Sequence, residues 1–412
     1  MTSKREDTFA LSDILDIHLG GNYDIHRDAS NELEVRFGTR GRQKITRIDF
    51  DNVIKKLKSL GWRCINDSGD YSLKIQNEFI DPKTGQTKLS NIRSHIKTMD
   101  AIQKYCKTND ITQIAQHLVN YEMKMYAKTK EEKTIYPINK DAWNLRISYQ
   151  TETKLSSSSS MIQGLLDTWQ DSKKTFRYIN RITYKKEGEP FKIDLSVVKS
   201  NNSDKRRRMI PTYRVDESGV FDNTEGYEIE IEMLPKYELG AYNNVDLLES
   251  ALKTGIKTIL AGLQQSNYPI SYDEQDSVKQ EYVRLFKGKD YEGRVYNRDF
   301  IGPSSYTLQM NNITELNEDS VAPNIRNNYT VTDKADGQRK MMYFGNNGKI
   351  YLIDTNLNIQ YTGCTVKTKD DFAGTLIDGE HILHDKEGNY INLYAAFDIY
   401  YKNKESVRDK IF

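Results

Sequence analysis

The chain has 412 residues, enough for about two or three domains. Charged residues make up 29%, the hydrophobic set 37% and aromatics 10%, which excludes a disordered chain and fits a globular one. The formal net charge is only +1, so any site for a polyanion must be a local patch.

Three cysteines, Cys64, Cys106 and Cys364, are odd in number and scattered. They give neither a metal spacing nor a disulfide framework, and a reducing compartment is expected. No apolar run approaches roughly 18 residues, so no membrane span is expected. The first residues are charged and lack the apolar stretch of a signal peptide.

Residues 8–19, "TFALSDILDIHL", predict a short helix. The strand "NELEVRFGTR" follows, with Glu32 and Glu34 alternating and then Arg36. "DFDNVIKKLKSLGW" is amphipathic at helical spacing. From about 71 to 232 the pattern is short alternating runs separated by polar turns, which predicts a closed or nearly closed antiparallel barrel. The serine run 156–160 predicts a turn or loop. Within "GYEIEIEMLP", Glu228, Glu230 and Glu232 occupy every second position. "VDLLESALKTGIKTILAGL" predicts a helix, and a second helix is expected over 273–287. Composition turns to Gly, Asp and Arg near 290–300, marking a boundary, and strands dominate again from 329.

Three carboxylates on one strand face repel one another, and Glu is a poor strand residue. One such strand could be a solvated edge. Two of them suggest a barrel whose polar face points inward. Arg93, Lys124, Arg146 and Asp194 lie on strand-like runs beside them. Lys199 is a further candidate, although it sits off the Asp194 face unless a bulge intervenes. Oxygen-only donors favour Mg²⁺ or Mn²⁺, which would relieve the repulsion and bridge to phosphate oxygens.

"ELEVRF" followed by "EIEIEM" resembles the E-x-E and E-x-E-x-E strands of triphosphate tunnel metalloenzymes, specifically the metal-dependent RNA 5′-triphosphatases. The resemblance covers roughly residues 25–235. It implies that Glu32, Glu34, Glu228, Glu230 and Glu232 ligate or support the metal. It further implies that Arg93, Lys124, Arg146, Asp194 and Lys199 contact the substrate, the 5′-triphosphate end of an mRNA.

Downstream, Lys334-Ala335-Asp336-Gly337 with Arg339 stands in "YTVTDKADGQRKMMYF". Alone, Asp-Gly there also fits a tight turn between strands. Asp378-Gly379-Glu380 and Asp398, in the apolar run "YAAFDIYY", add two carboxylate stations. A carboxylate in such a run is expected to be buried and to need a partner or metal. Lys334 could attack phosphorus if burial or a neighbouring cation favoured its neutral amine.

K-x-D-G-x-R, then D-G-E, then F-D-I resembles the covalent nucleotidyltransferase superfamily of capping guanylyltransferases and ATP-dependent ligases. That implies GTP as substrate, Lys334 as the residue that takes GMP, and Arg339, Glu380 and Asp398 as nucleotide contacts. A triphosphatase ahead of a guanylyltransferase is the order in capping enzymes of poxviruses, the African swine fever virus group and giant amoebal viruses. The resemblance therefore implies a protein of a viral factory or virion, with a methyltransferase domain or subunit as partner. No later K-x-K strand follows Asp398, so an incomplete guanylyltransferase domain with little or no GMP labelling is expected. A polynucleotide ligase, or a non-catalytic polyphosphate- or RNA-binding barrel, are the alternatives.

The expected fold is α+β: a tunnel-forming antiparallel barrel with flanking helices over 1–240, a helical connector over 241–300, and part of a nucleotidyltransferase domain over 301–412.

Overall fold

The structure, a computed structural model, describes residues 9–21, 29–303, 306–315, 323–327, 329, 331 and 334–410. The chain forms two compact units, Met1–Gln265 and Ser266–Phe412. Among the described residues no helix is long and apolar enough to cross a membrane.

The first unit carries β1 (Ala29–Phe37), β2 (Arg63–Cys64), β3 (Asp70–Ile80), β4 (Thr87–Leu89), β5 (Ile92–Lys97) and β6 (Val119–Tyr126). It continues with β7 (Ile138–Lys140), β8 (Leu145–Leu155), β9 (Lys174–Lys185), β10 (Phe191–Ser200) and β11 (Gly226–Met233). Its helices are α1 (Leu11–Gly20), α2 (Arg47–Ser59), α3 (Met99–Thr108), α4 (Ser160–Asp167) and α5 (Val245–Leu263). Eight strands run β9–β10–β11–β1–β8–β6–β5–β3, and β3 pairs back onto β9 from Asp70↔Arg181 to Asn77↔Lys174. The ring is closed and antiparallel throughout, which removes every edge but those of the short strands.

Alternation decides what faces where. Leu33, Val35 and Phe37 of β1 point outward into a core with Ile14 and Leu15 of α1, Phe50, Val53 and Leu57 of α2, and Leu248, Leu252 and Ile259 of α5. A second outer core joins Leu73, Ile75 and Phe176 to Ile102 and Tyr105 of α3, Ile162 of α4 and Trp169. The helices thus cover the apolar outer face. The polar residues between are left to fill the lumen.

Local chemistry sets the helix starts. The Thr46 hydroxyl accepts from Asp49 N–H at 3.2 Å, and the Asp49 carboxylate accepts from Thr46 N–H at 2.9 Å, a reciprocal cap that opens α2. The serine run is not all loop: Ser159 caps α4, whose first residue is Ser160.

The second unit holds α6 (Tyr272–Lys287), β12 (Gln338–Phe344), β13 (Lys349–Asp354), β14 (Ile359–Thr365), α7 (Lys369–Phe372), β15 (Leu376–His384), β16 (Tyr390–Lys402) and β17 (Glu405–Ser406). Its sheet runs β14–β13–β12–β15–β16–β17. Val278, Tyr282 and Val283 of α6 share a core with Met341, Tyr343, Tyr351 and Ile353. The stretch 241–300 is therefore not a separate connector. α5 completes the core of the first unit and α6 that of the second. Of the strand expected from 329, residues 330, 332 and 333 lie outside the described residues, and Lys334–Asp336 form no strand.

Candidate active site in the tunnel

β1 and β11 are ring neighbours, and their register sets Glu34 opposite Glu232 and Arg36 opposite Glu230. This register answers the repulsion along β11. Arg36 Nε lies 2.6 Å from Glu230, and its Nη2 lies 3.4 Å from Glu228. Arg177 of β9 reaches Glu228 at 2.7 Å. Arg181 bridges Glu230 at 3.1 Å and Asp194 at 3.2 Å, while its Nε donates to Ser196 Oγ. Thr183 donates to Asp194 at 2.6 Å. Lys192 approaches Glu232 at 3.1 Å and Asp194 at 3.7 Å.

On the opposite wall Lys124 lies 2.8 Å from Glu32, 2.7 Å from Glu34 and 3.9 Å from Glu152. Arg93 sits opposite Glu122 across β5 and β6. His95 Nε2 stands 2.6 Å from Glu122. Arg146 faces Arg36 across β8 and β1, and its Nε donates to Asn139 Oδ1.

The balance of burial against charge divides these groups. Burial alone would raise Glu230, but Arg36 and Arg181 outweigh it and hold the carboxyl below its ordinary range. Burial would lower Lys124, yet Glu34 and Glu32 keep its ammonium well above the usual range. Glu232 goes the other way. Burial raises it to about 7, aided by Glu32 and Asp194 and opposed by Lys192. Glu152 also rises to about 7, through burial and then Glu122. Lys74 falls to about 8, because burial and the cations Arg181 and Arg93 outweigh Glu122. Burial, with Lys74 and Arg93, pushes the His95 imidazole far below its ordinary value.

Among the described residues no three carboxylate, imidazole or thiol groups converge as a metal-ligand cluster. The donor chemistry nonetheless fits a hard divalent ion. The set is carboxylate oxygen, and burial raises two of the half-buried lumen carboxyls, Glu232 and Glu152, to about 7 despite Lys192 and Lys124 beside them.

Glu32, Glu34, Glu228, Glu230, Glu232, Arg93, Lys124 and Asp194 thus share one lumen, with Arg146 at its end. Lys199 does not join them. No bulge interrupts the β9–β10–β11 register, so Lys199 stays on the outer side and donates to the Phe221 carbonyl at 2.9 Å. Lys74, His95, Glu122 and Arg177 are lumen residues that the sequence reading passed over. Period two within "YSLKIQ", "IRSHIK", "NYEMKMY" and "FRYINR" was the available signal.

In the second unit Gly337 N–H donates to Glu380 at 3.2 Å, and a Cβ on Gly337 would lie 2.6 Å from the His381 carbonyl. Only glycine allows that approach. Arg339 grips Asp378 through Nε at 3.1 Å and Nη2 at 2.5 Å, and also donates to the Pro303 carbonyl. Tyr400 donates to the same fully buried Asp378 at 2.6 Å. Asp398 is not the buried carboxylate its apolar run implies. It is exposed, as are its strand neighbours Phe397 and Ile399, and its Oδ1 accepts from Ile399 N–H. Lys334 is likewise not buried: its side chain is 87% exposed, with Asp336 at 4.0 Å.

Residues 266–412 match the family model of the mRNA capping enzyme, catalytic domain. A probable mRNA-capping enzyme of Acanthamoeba polyphaga mimivirus is 29% identical over 176 residues. That alignment covers 42% of this chain and 12% of the mimivirus protein. Among solved structures, the Mimivirus capping enzyme triphosphatase is 17% identical with a TM-score of 0.38, covering 61% of this chain and 98% of that one. The S. pombe Pct1 RNA triphosphatase is 15% identical with a TM-score of 0.29, covering 62% and 86%.

Proposed function

We propose that the chain serves mRNA 5′ capping and that its tunnel removes the γ-phosphate of 5′-triphosphate RNA. The observation carrying this reading is the closed ring whose lumen sets the β1 and β11 carboxylates among Lys74, Lys124, Arg177 and Arg181. The capping-enzyme match of residues 266–412 supports the same pathway.

A Mg²⁺ or Mn²⁺ ion held by Glu32, Glu34, Glu228, Glu230 and Glu232 would neutralise charge on the transferring phosphoryl group. The lumen cations fix the remaining phosphate oxygens, Arg through paired donors and Lys as point charges. Arg181 is oriented by Asp194 and Ser196 before substrate arrives. Glu152, raised to about 7 by burial and Glu122 and 3.9 Å from Lys124, is the lumen carboxyl we assign to orient the attacking water. In the second unit, Lys334 is the residue we assign to GMP transfer from GTP, with Arg339, Glu380 and Asp398 as nucleotide contacts.

Phosphate release from triphosphate-ended RNA tests the reading. Mg²⁺ or Mn²⁺ should be required, and Glu32→Ala with Glu230→Ala should lower the rate about 100-fold or more. Full activity in the double variant would remove the tunnel from the chemistry.

A further inference from the structure

One rim of the tunnel carries a cavity with a basic hairpin beside it. β1 and β10 end there and β11 begins. Around those ends lies a cavity of about 530 Å³, lined among others by Arg36, Lys44, Ser203 and Glu228. Arg36 and Glu228 also belong to the lumen ion pairs, so cavity and tunnel share a wall.

A short hairpin stands on this rim. Ser203 pairs with Met209, Asp204 N–H donates to the Arg208 carbonyl, and Arg207 N–H donates to the Asp204 carbonyl. Its base is fixed by buried Asn201, whose amide donates to the Ile210 carbonyl at 2.9 Å and accepts from Phe176 N–H at 2.6 Å. Arg207 adopts φ 61°, a left-handed turn position. Arg208 is occupied by Asp204 at 2.9 Å. Lys205, Arg206 and Arg207 are exposed, and none forms an ion pair among the described residues. Lys44 is exposed on the cavity wall. In a protein of net charge +1, Lys205, Arg206 and Arg207 are three adjacent cations without an ion-pair partner among the described residues, on a hydrogen-bonded turn.

We propose that Lys205, Arg206 and Arg207, with Lys44, hold the sugar-phosphate backbone of single-stranded RNA behind the 5′ end that enters the tunnel. The inference rests on the reading of the tunnel as an RNA triphosphatase and adds what separates RNA from free nucleoside triphosphates. Phosphates of the following nucleotides would meet the hairpin, and a nucleotide alone would not reach it.

The test is K205E/R206E/R207E in the full chain, read in two ways. Affinity for a 3′-labelled 5′-hydroxyl RNA should fall about 10-fold or more at low salt, and the slope of log K against log salt should flatten by about 2. The ratio of kcat/KM on triphosphate RNA to that on GTP should fall about 10-fold, since about 1.4 kcal/mol of RNA-only binding is lost. Unchanged RNA affinity and slope, or an equal loss on GTP, would overturn the proposal. So would polyglutamate competing as well as RNA, which would assign the rim to an acidic polypeptide. The 5′-hydroxyl titration needs no hydrolysis. A parent protein that releases no phosphate therefore sinks the triphosphatase reading without silencing the rim test.

Discussion

Glu232 bears the electrostatic cost of the lumen. Its carboxyl sits near 7 in the fold, whereas an unfolded glutamate titrates near about 4.3. Between those values the folded state binds more protons than the unfolded one, so stability is full below the window and is lost as pH rises through it. Glu152 has the same sign. His95 and His18, both depressed, act the other way below about 6.5. The clean measurement is therefore a difference. In chelator, Glu232→Gln should melt with the parent at pH 5 and above it at pH 8, by about 1–3 kcal/mol. A Gln variant less stable at pH 8 would mean that Lys192 holds Glu232 as an ion pair. Residue chemistry was only partly legible in advance. Glu32, Glu34 and the β11 triplet stood out because period two repeats one residue type. Lys74 and His95 follow the same period in mixed company and were passed over. Asp398 misled because alternation says which residues share a face, not whether anything covers it.

At the scale of elements, the outer helices hold the tunnel in shape, and α5 does so by close approach. A Cβ on Gly262 would lie 2.9 Å from the Val53 Cα of α2, a backbone atom that cannot turn aside. Replacing Gly by Ala inside a helix ordinarily gains about 1 kcal/mol. Here overpacking costs about 1–3 kcal/mol, and the neighbour is backbone, so the cost wins. Gly262→Ala is expected to lower the melting temperature by a few degrees; a rise would show that α2 can back away. The helices themselves were legible from their apolar spacing and caps. Their allegiance was not. α5 and α6 read as one connector, because a periodic stripe says that a helix packs without naming the sheet it packs on. Ring closure was expected from many short alternating strands, but the β3–β9 pairing joins segments about a hundred residues apart and no local signal encodes it.

At the scale of the molecule, each unit has core clusters of its own among the described residues. The cores of the first draw on side chains up to Leu263, and that of the second begins at Ile270. A body of 265 residues buries enough surface to fold alone. Two consequences can be measured together. Residues 1–265 expressed alone should melt cooperatively and release phosphate from triphosphate RNA at the rate of the full chain. In the full chain, calorimetry should resolve two transitions, and Mn²⁺ should raise only the one that residues 1–265 show alone. An ion that binds the native barrel stabilises it by RT ln(1 + [L]/Kd), about 2.7 kcal/mol at a hundredfold excess over Kd. Glu32→Ala should abolish that shift while leaving the second transition where it was. If Mn²⁺ moved only the second transition, the ion would belong to the unit that carries Lys334, and the β1 and β11 carboxylates would be balanced by Lys124, Arg36, Arg177 and Arg181 alone.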